Sequence, residues 1–232
     1  MNLPIIFSKA FIKRFFYRLG FNVHFNEYFS KRMKTQKVFY NIYSQKYQDV
    51  RDCFATTEEQ KQEMSEYFNN LVEHIEMNDD KAERIARHLT SKFKYVFDDV
   101  LYSVPEYWAT PYMTFKKLLA GEDCGDCDDL AILTVYAWGL VGIPAGRRFV
   151  RAGDVNNLQG NYAGGHATAV YWSEEYNRLF PLEGTFYATQ SYQNYRETPI
   201  ENNIIYKARN WFWTNEEYSY KGDDGLEPWT KK

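Results

Sequence analysis

The sequence predicts an α+β protein in which a long apolar helix packs on an antiparallel sheet. Three observations carry this. Leu130, Ala131, Leu133, Thr134 and Ala137, continued by Leu140 or Val141, recur at helical spacing and mark a helix buried along one stripe. Two helical segments precede it. Downstream, residues 147–151, 166–172 and 178–182 read as strands.

Taken in chain order, residues 1–55 form a loosely specified N-terminal extension. Residues 1–37 hold eight Lys/Arg against one Glu, which leaves −10 for the remainder of a chain whose net charge is −3. Within this basic arm Ile5, Phe11, Ile12, Phe15, Phe16 and Leu19 share one helical face, and Lys9, Lys13, Arg14 and Arg18 spread around the other. Docking onto a membrane surface, a nucleic acid or an assembly partner are open readings, beside a plain helix packed on its own domain with its charges in water. Nucleic acid is not expected for the core.

Thr56 and Thr57, followed by Glu59 and Gln60, form a capping-box pattern that opens a helix to about residue 76. Asp80 with Glu83 repeats the device for a helix to about residue 93, and the short polar turn 77–79 makes the two antiparallel neighbours. A Pro- and aromatic-rich loop covers 104–111. Residues 114–120 supply one or two helical turns before Gly121, and Gly142, Ile143 and Pro144 stop the helix that begins near Cys127. Residues 154–165 read as a long polar loop, and 210–232 as an irregular aromatic and acidic tail. The expected units are therefore an arm at 1–55, a core at 56–209 and a tail at 210–232.

Composition limits the class. An aromatic share of 19%, with 20 Tyr and 17 Phe, belongs to a chain that buries a core. Lys and Arg repeatedly break the apolar positions of the arm, so no secretory pattern is recognised, and no stretch reads as a bilayer span. Three cysteines, Cys53, Cys124 and Cys127, do not make a secreted disulfide framework, so a cytoplasmic or virion-associated location is expected.

Cys127 opens the apolar helix, where unsatisfied amides and the helix dipole favour a thiolate and can lower a thiol pKa from about 8.5 towards neutrality. His166 opens an alternating strand and Glu183 follows in a Pro-Leu-Glu-Gly turn, so thiol, imidazole and carboxylate occur in workable order. Asp126, Asp128 and Asp129 crowd the thiol and oppose its ionisation unless they are paired or bind a cation. Cys124 and Cys127 also form a Cys-x-x-Cys pair. A redox pair and half a zinc site are weak readings of it, since the preceding segment looks helical and no second ligand pair is spaced for zinc, while a Cys124–Cys127 disulfide that silences the nucleophile stays open.

Gly125-Asp126-Cys127-Asp128-Asp129, the Val-Gly-Ile-Pro-Ala run at 141–145, the Gly-His pair at 165–166 and the Tyr-Trp-Ala-Thr-Pro run at 107–111 together resemble the transglutaminase-like superfamily. In these motifs, with Tyr95 and Asp98 before them, the chain is similar to bacterial transglutaminase-like cysteine proteinases. The likeness spans roughly residues 80–187. It implies a papain/transglutaminase-like core, Cys127 as nucleophile, His166 as base and Glu183 as orienting acid, where the family usually has Asp. It implies a polypeptide substrate and an oxyanion or substrate contact for which Trp108 is a candidate. Calcium at Asp126 and Asp128 is the cofactor some relatives use, although the triad chemistry itself requires none. Hydrolysis and transamidation share the acyl-enzyme and are not separated. The alternative to an enzyme is an assembly component of a larger particle, such as a phage virion, with this fold as a binding module.

Overall fold

The computed structural model describes residues 40–41, 46–47, 49–182, 184–185 and 198–222. The basic arm at 1–37, Glu183 and the last ten residues lie outside them. A two-stranded ribbon, β1 (Tyr40–Asn41) with β2 (Lys46–Tyr47), leads into a 3-10 turn at Val50–Phe54 that buries Val50, Cys53 and Phe54.

Helix α1 (Glu58–Val72) starts where the sequence predicts. Thr57 Oγ1 accepts the Gln60 N–H at 3.3 Å and Gln60 Oε1 accepts the Thr57 N–H at 3.0 Å, closing the capping box. Helix α2 (Asn78–Lys92) follows, but the second box does not form; Met77 occupies the cap position without a side-chain bond. Asp79, one residue before the expected cap, is buried. Its carboxylate accepts the N–H groups of Glu174 and Glu175 at 3.1 Å each and the hydroxyls of Tyr171 and Ser173, so it clamps α2 to the sheet. A single turn, α3 (Asp98–Leu101), precedes α4 (Pro111–Ala120). The latter starts three residues before the predicted Thr114, because Pro111 suits the first helical turn, and it ends at Gly121 with φ of 68°.

Helix α5 (Cys127–Leu140) is the axis of the fold. It packs on α1, α2 and α4 on one side and on the sheet on the other, so every residue from Asp128 to Trp138 is buried and not only the predicted stripe. The Trp138 N–H, deep in this core, donates to the Ala82 carbonyl at 3.0 Å.

The sheet has five antiparallel strands in the order β5-β4-β3-β6-β7. They are β3 (Arg148–Asn156), β4 (Tyr162–Ser173), β5 (Arg178–Leu182), β6 (Asn210–Thr214) and β7 (Ser219–Lys221). Two expectations are corrected here. The polar stretch 154–165 is not a long loop but the end of a β3–β4 hairpin, whose tight turn is held by Asn157 Oδ1 accepting the N–H groups of Gln159 and Asn161 at 3.0 Å. The aromatic segment after residue 209 is not an irregular tail: Ala152 and Val150 of β3 pair with Phe212 and Thr214, which makes β6 an interior strand. A second core of Phe149, Val170, Trp172, Ile205, Tyr206 and Trp213 covers the sheet face away from α5. The fold is α+β, with a helix layer on one face of an antiparallel sheet.

Among the described residues no helix is long and apolar enough to cross a membrane.

A candidate thiol–imidazole site beside a buried carboxylate cluster

Cys127 is the first residue of α5, and Asp126 caps that helix by accepting the Asp128 N–H at 3.3 Å. The turn into it requires glycine. Gly125 has φ of 140°, and a Cβ there would fall on the Asp129 carboxylate. The main chain on either side is tied to the segment after α2: the Cys124 N–H donates to Lys94 and the Val96 N–H to Gly125, each at 2.9 Å, which sets Tyr95 beside Gly125 in a parallel bridge. Gly125→Ala is expected to cost about 3 kcal/mol or more through backbone strain and collision. Thermal unfolding checks this, and an unchanged melting temperature would contradict it.

His166 lies on β4 opposite Gly153 of β3 and is buried. Its ring hydrogen-bonds the Cys127 thiol, and the Ala167 N–H is directed at the same sulfur. Helix and strand thus bring together two residues 39 positions apart in sequence. Glu183 follows the end of β5, where Leu182 pairs with Ala169, and is itself outside the described residues. Trp108 is buried against Phe212, with ring centroids 5.7 Å apart, and its N–H donates to Glu106 Oε1 at 2.7 Å. The indole hydrogen therefore already has an acceptor.

Burial pushes the Cys127 thiol up, against the charge and hydrogen bond of His166, which pull it down. These influences together set the thiol above its ordinary value, against what its helix position suggests. Desolvation, with the Asp126 charge added, outweighs the imidazole.

A cluster of carboxylates lies beside the cysteine. Asp98, Asp128 and Asp129 are all buried, and Asp126 is half-buried among them. Asp98 Oδ2 accepts the Tyr107 N–H at 2.6 Å and Asp129 Oδ1 the Ala109 N–H at 2.8 Å. Three further oxygens, Asp98 Oδ1, Asp128 Oδ1 and Asp129 Oδ2, are buried with no partner. Burial first and the Asp126 charge second push Asp98 up to about 7. The same two causes hold Asp128 and Asp129 well above the ordinary carboxylate range.

Ligand atoms of Asp98, Glu106 and Asp128 lie within 4.8 Å of one another, as do those of Asp98, Asp126 and Asp129, and those of Asp126, Cys127 and Asp128. Orphaned hard oxygens in this density fit a calcium ion. Asp126 and Asp128 are legible in the sequence because they flank the cysteine; Asp98 and Glu106 are not, since α3 and the loop after it reach the cluster only through the tertiary fold. A cavity of about 590 Å³ opens beside the cluster, walled by Phe97, Asp98, Val104, Pro105 and Asp126 among others.

No protein-family profile matches the chain, and no curated protein does. Among solved structures it is similar to Legionella pneumophila LapG, at 15% identity and a TM-score of 0.47, over 76% of this chain and 94% of that one. The calcium-bound form of LapG gives 15% identity and a TM-score of 0.45, over 72% and 88% of the two chains. The EGTA-treated form gives 14% and 0.46, over 76% and 95%.

Proposed function

We propose that this chain is a thiol-dependent acyl-transfer enzyme acting on a polypeptide, a cysteine protease or amidase whose acyl-enzyme can also pass to a lysine amine. The observation that carries the reading is the Cys127 thiol at the start of a buried helix, hydrogen-bonded by His166 from the adjoining strand.

In this reading His166 takes the thiol proton as Cys127 attacks the substrate carbonyl, and returns a proton to the leaving amine. Water or a second amine then releases the acyl group. Glu183 is assigned to orient the imidazole, because it directly follows Leu182, whose partner Ala169 lies on the same strand as His166. The cavity walled by Phe97, Val104 and Pro105 is assigned to the substrate chain, since it adjoins Asp126 at the cysteine turn.

Calcium is assigned to this carboxylate cluster, where Asp98 gathers with Glu106 and Asp128 and again with Asp126 and Asp129. Bound there, it supplies positive charge that offsets the carboxylates and favours the Cys127 thiolate. The residues do the rest: Asp126 holds the helix start, Asp98 fixes the Tyr107 amide and Asp129 fixes the Ala109 amide.

The direct test is a proteome-derived peptide mixture incubated with the protein in calcium, with new termini mapped by mass spectrometry. Wild type is expected to cut at a recurrent sequence, and Cys127→Ala to cut nothing while keeping its melting temperature. Cleavage that persists in Cys127→Ala, or none in wild type, would overturn the reading.

A further inference from the structure

Attack by a thiolate moves the carbonyl π pair onto oxygen, and that oxyanion needs a hydrogen-bond donor. Three donors around the cysteine turn have nearby acceptors. The Trp108 N–H donates to Glu106, while the Cys127 N–H is near the Asp126 carboxylate and the Ala167 N–H near the Cys127 sulfur.

Tyr95 differs from all three. Its main chain is pinned beside Gly125, two residues before the nucleophile, by the bridge and the two 2.9 Å hydrogen bonds that flank it. Its side chain is 45% exposed and stands edge-on to Phe97, with ring centroids 5.3 Å apart, and Phe97 walls the cavity. Among the described residues the Tyr95 hydroxyl has no hydrogen-bond partner.

We infer that Tyr95 is a further catalytic residue, donating its hydroxyl hydrogen to the substrate carbonyl oxygen as Cys127 attacks. The inference rests on the reading of Cys127 as the acyl-accepting nucleophile. In the step, the sulfur–carbon bond forms, the carbonyl pair moves to oxygen and Tyr95 keeps its proton. On collapse the pair returns, the carbon–nitrogen bond breaks and the amine leaves with the proton held by His166. Tyr95 can hold its proton throughout. Partial burial, and then the charges of Cys127, Asp126, Asp128 and Asp98, push its phenol above the ordinary value.

The test uses two probes on the calcium-loaded protein, each read at Cys127 by mass spectrometry. Acetylation by p-nitrophenyl acetate passes through an oxyanion; alkylation by iodoacetamide does not. Tyr95→Phe keeps the ring against Phe97 and removes only the hydroxyl. Acetylation is expected to fall about ten-fold or more, with the alkylation rate, its pH profile and the melting temperature unchanged. Equal acetylation in variant and wild type, or a parallel fall of acetylation and alkylation, would overturn the inference while leaving the nucleophile in place. A wild type that is alkylated but never acetylated would remove the acyl-transfer reading, and Tyr95's role with it.

Discussion

Replacing His166 with alanine is expected to slow iodoacetamide alkylation of Cys127 at neutral pH by about ten-fold or more, the equivalent of at least one pKa unit on the thiol. The direction follows from the site. His166 supplies both the nearby charge and the hydrogen bond that pull the Cys127 thiol down, while burial and Asp126 push it up. Without the imidazole only the Ala167 N–H still favours the thiolate among these influences. Wild type and variant should converge at high pH, where the thiol ionises without help. Cys53 and Cys124 are internal controls: both are buried, both thiols are pushed up mainly by that burial, and neither should respond to the substitution. Identical Cys127 profiles in the two proteins would show that the imidazole does not act on the thiol, and would remove the basis of the proposed chemistry.

The second large effect is expected from calcium and Asp128. Folding raises the pKa of Asp98 to about 7 and those of Asp128 and Asp129 well above the usual range, so the folded state binds more protons than the unfolded one. For a raised carboxylate the sign is fixed. The stabilising contribution is complete below the unfolded pKa of about 4 and disappears as pH rises through the folded pKa. In EGTA the protein should therefore melt at a higher temperature at pH 5 than at pH 8.

Calcium should raise the melting temperature most at pH 8, where the carboxylates are ionised, and move Cys127 alkylation to lower pH. Asp128→Asn removes one charge from the cluster. It should stabilise the metal-free protein at pH 8 and weaken calcium binding about ten-fold or more, read by calorimetry with calcium alone. No calcium shift in wild type, or a metal-free protein that is more stable at pH 8 than at pH 5, would show that the cluster is not a cation site.

Much of this is legible in the sequence. Thr57 and Gln60 announced the start of α1, the Gly-Ile-Pro stop closed α5, and residues 178–182 were read as the strand they form. Cys127 stands out because it opens a helix and His166 because an alternating apolar run starts there, both local properties, although β4 itself begins earlier, at Tyr162. The reading lost ground where local pattern was ambiguous. Residues 154–165 are polar and glycine-rich, so they resemble a loop, yet cross-strand hydrogen bonds extend β3 and β4 through most of them. Over the whole segment 210–232 aromatic residues are mixed with charged ones in the manner of a surface tail. Pairing with β3 is what buries the β6 part of it.

The sequence by itself determined the α+β class, the helix that carries Cys127 and the order of thiol and imidazole along the chain, because these depend on side-chain periodicity and on capping within a few residues. Only the tertiary structure decided which carboxylates share one low-dielectric site. Asp98 and Glu106 come from segments with no periodic link to Cys127, and packing around α5 brings them to Asp126 and Asp128. The direction of the Cys127 pKa was decided there too. Position at a helix start favours the thiolate, but desolvation and neighbouring charge depend on what the fold buries beside it, and here they outweigh that preference.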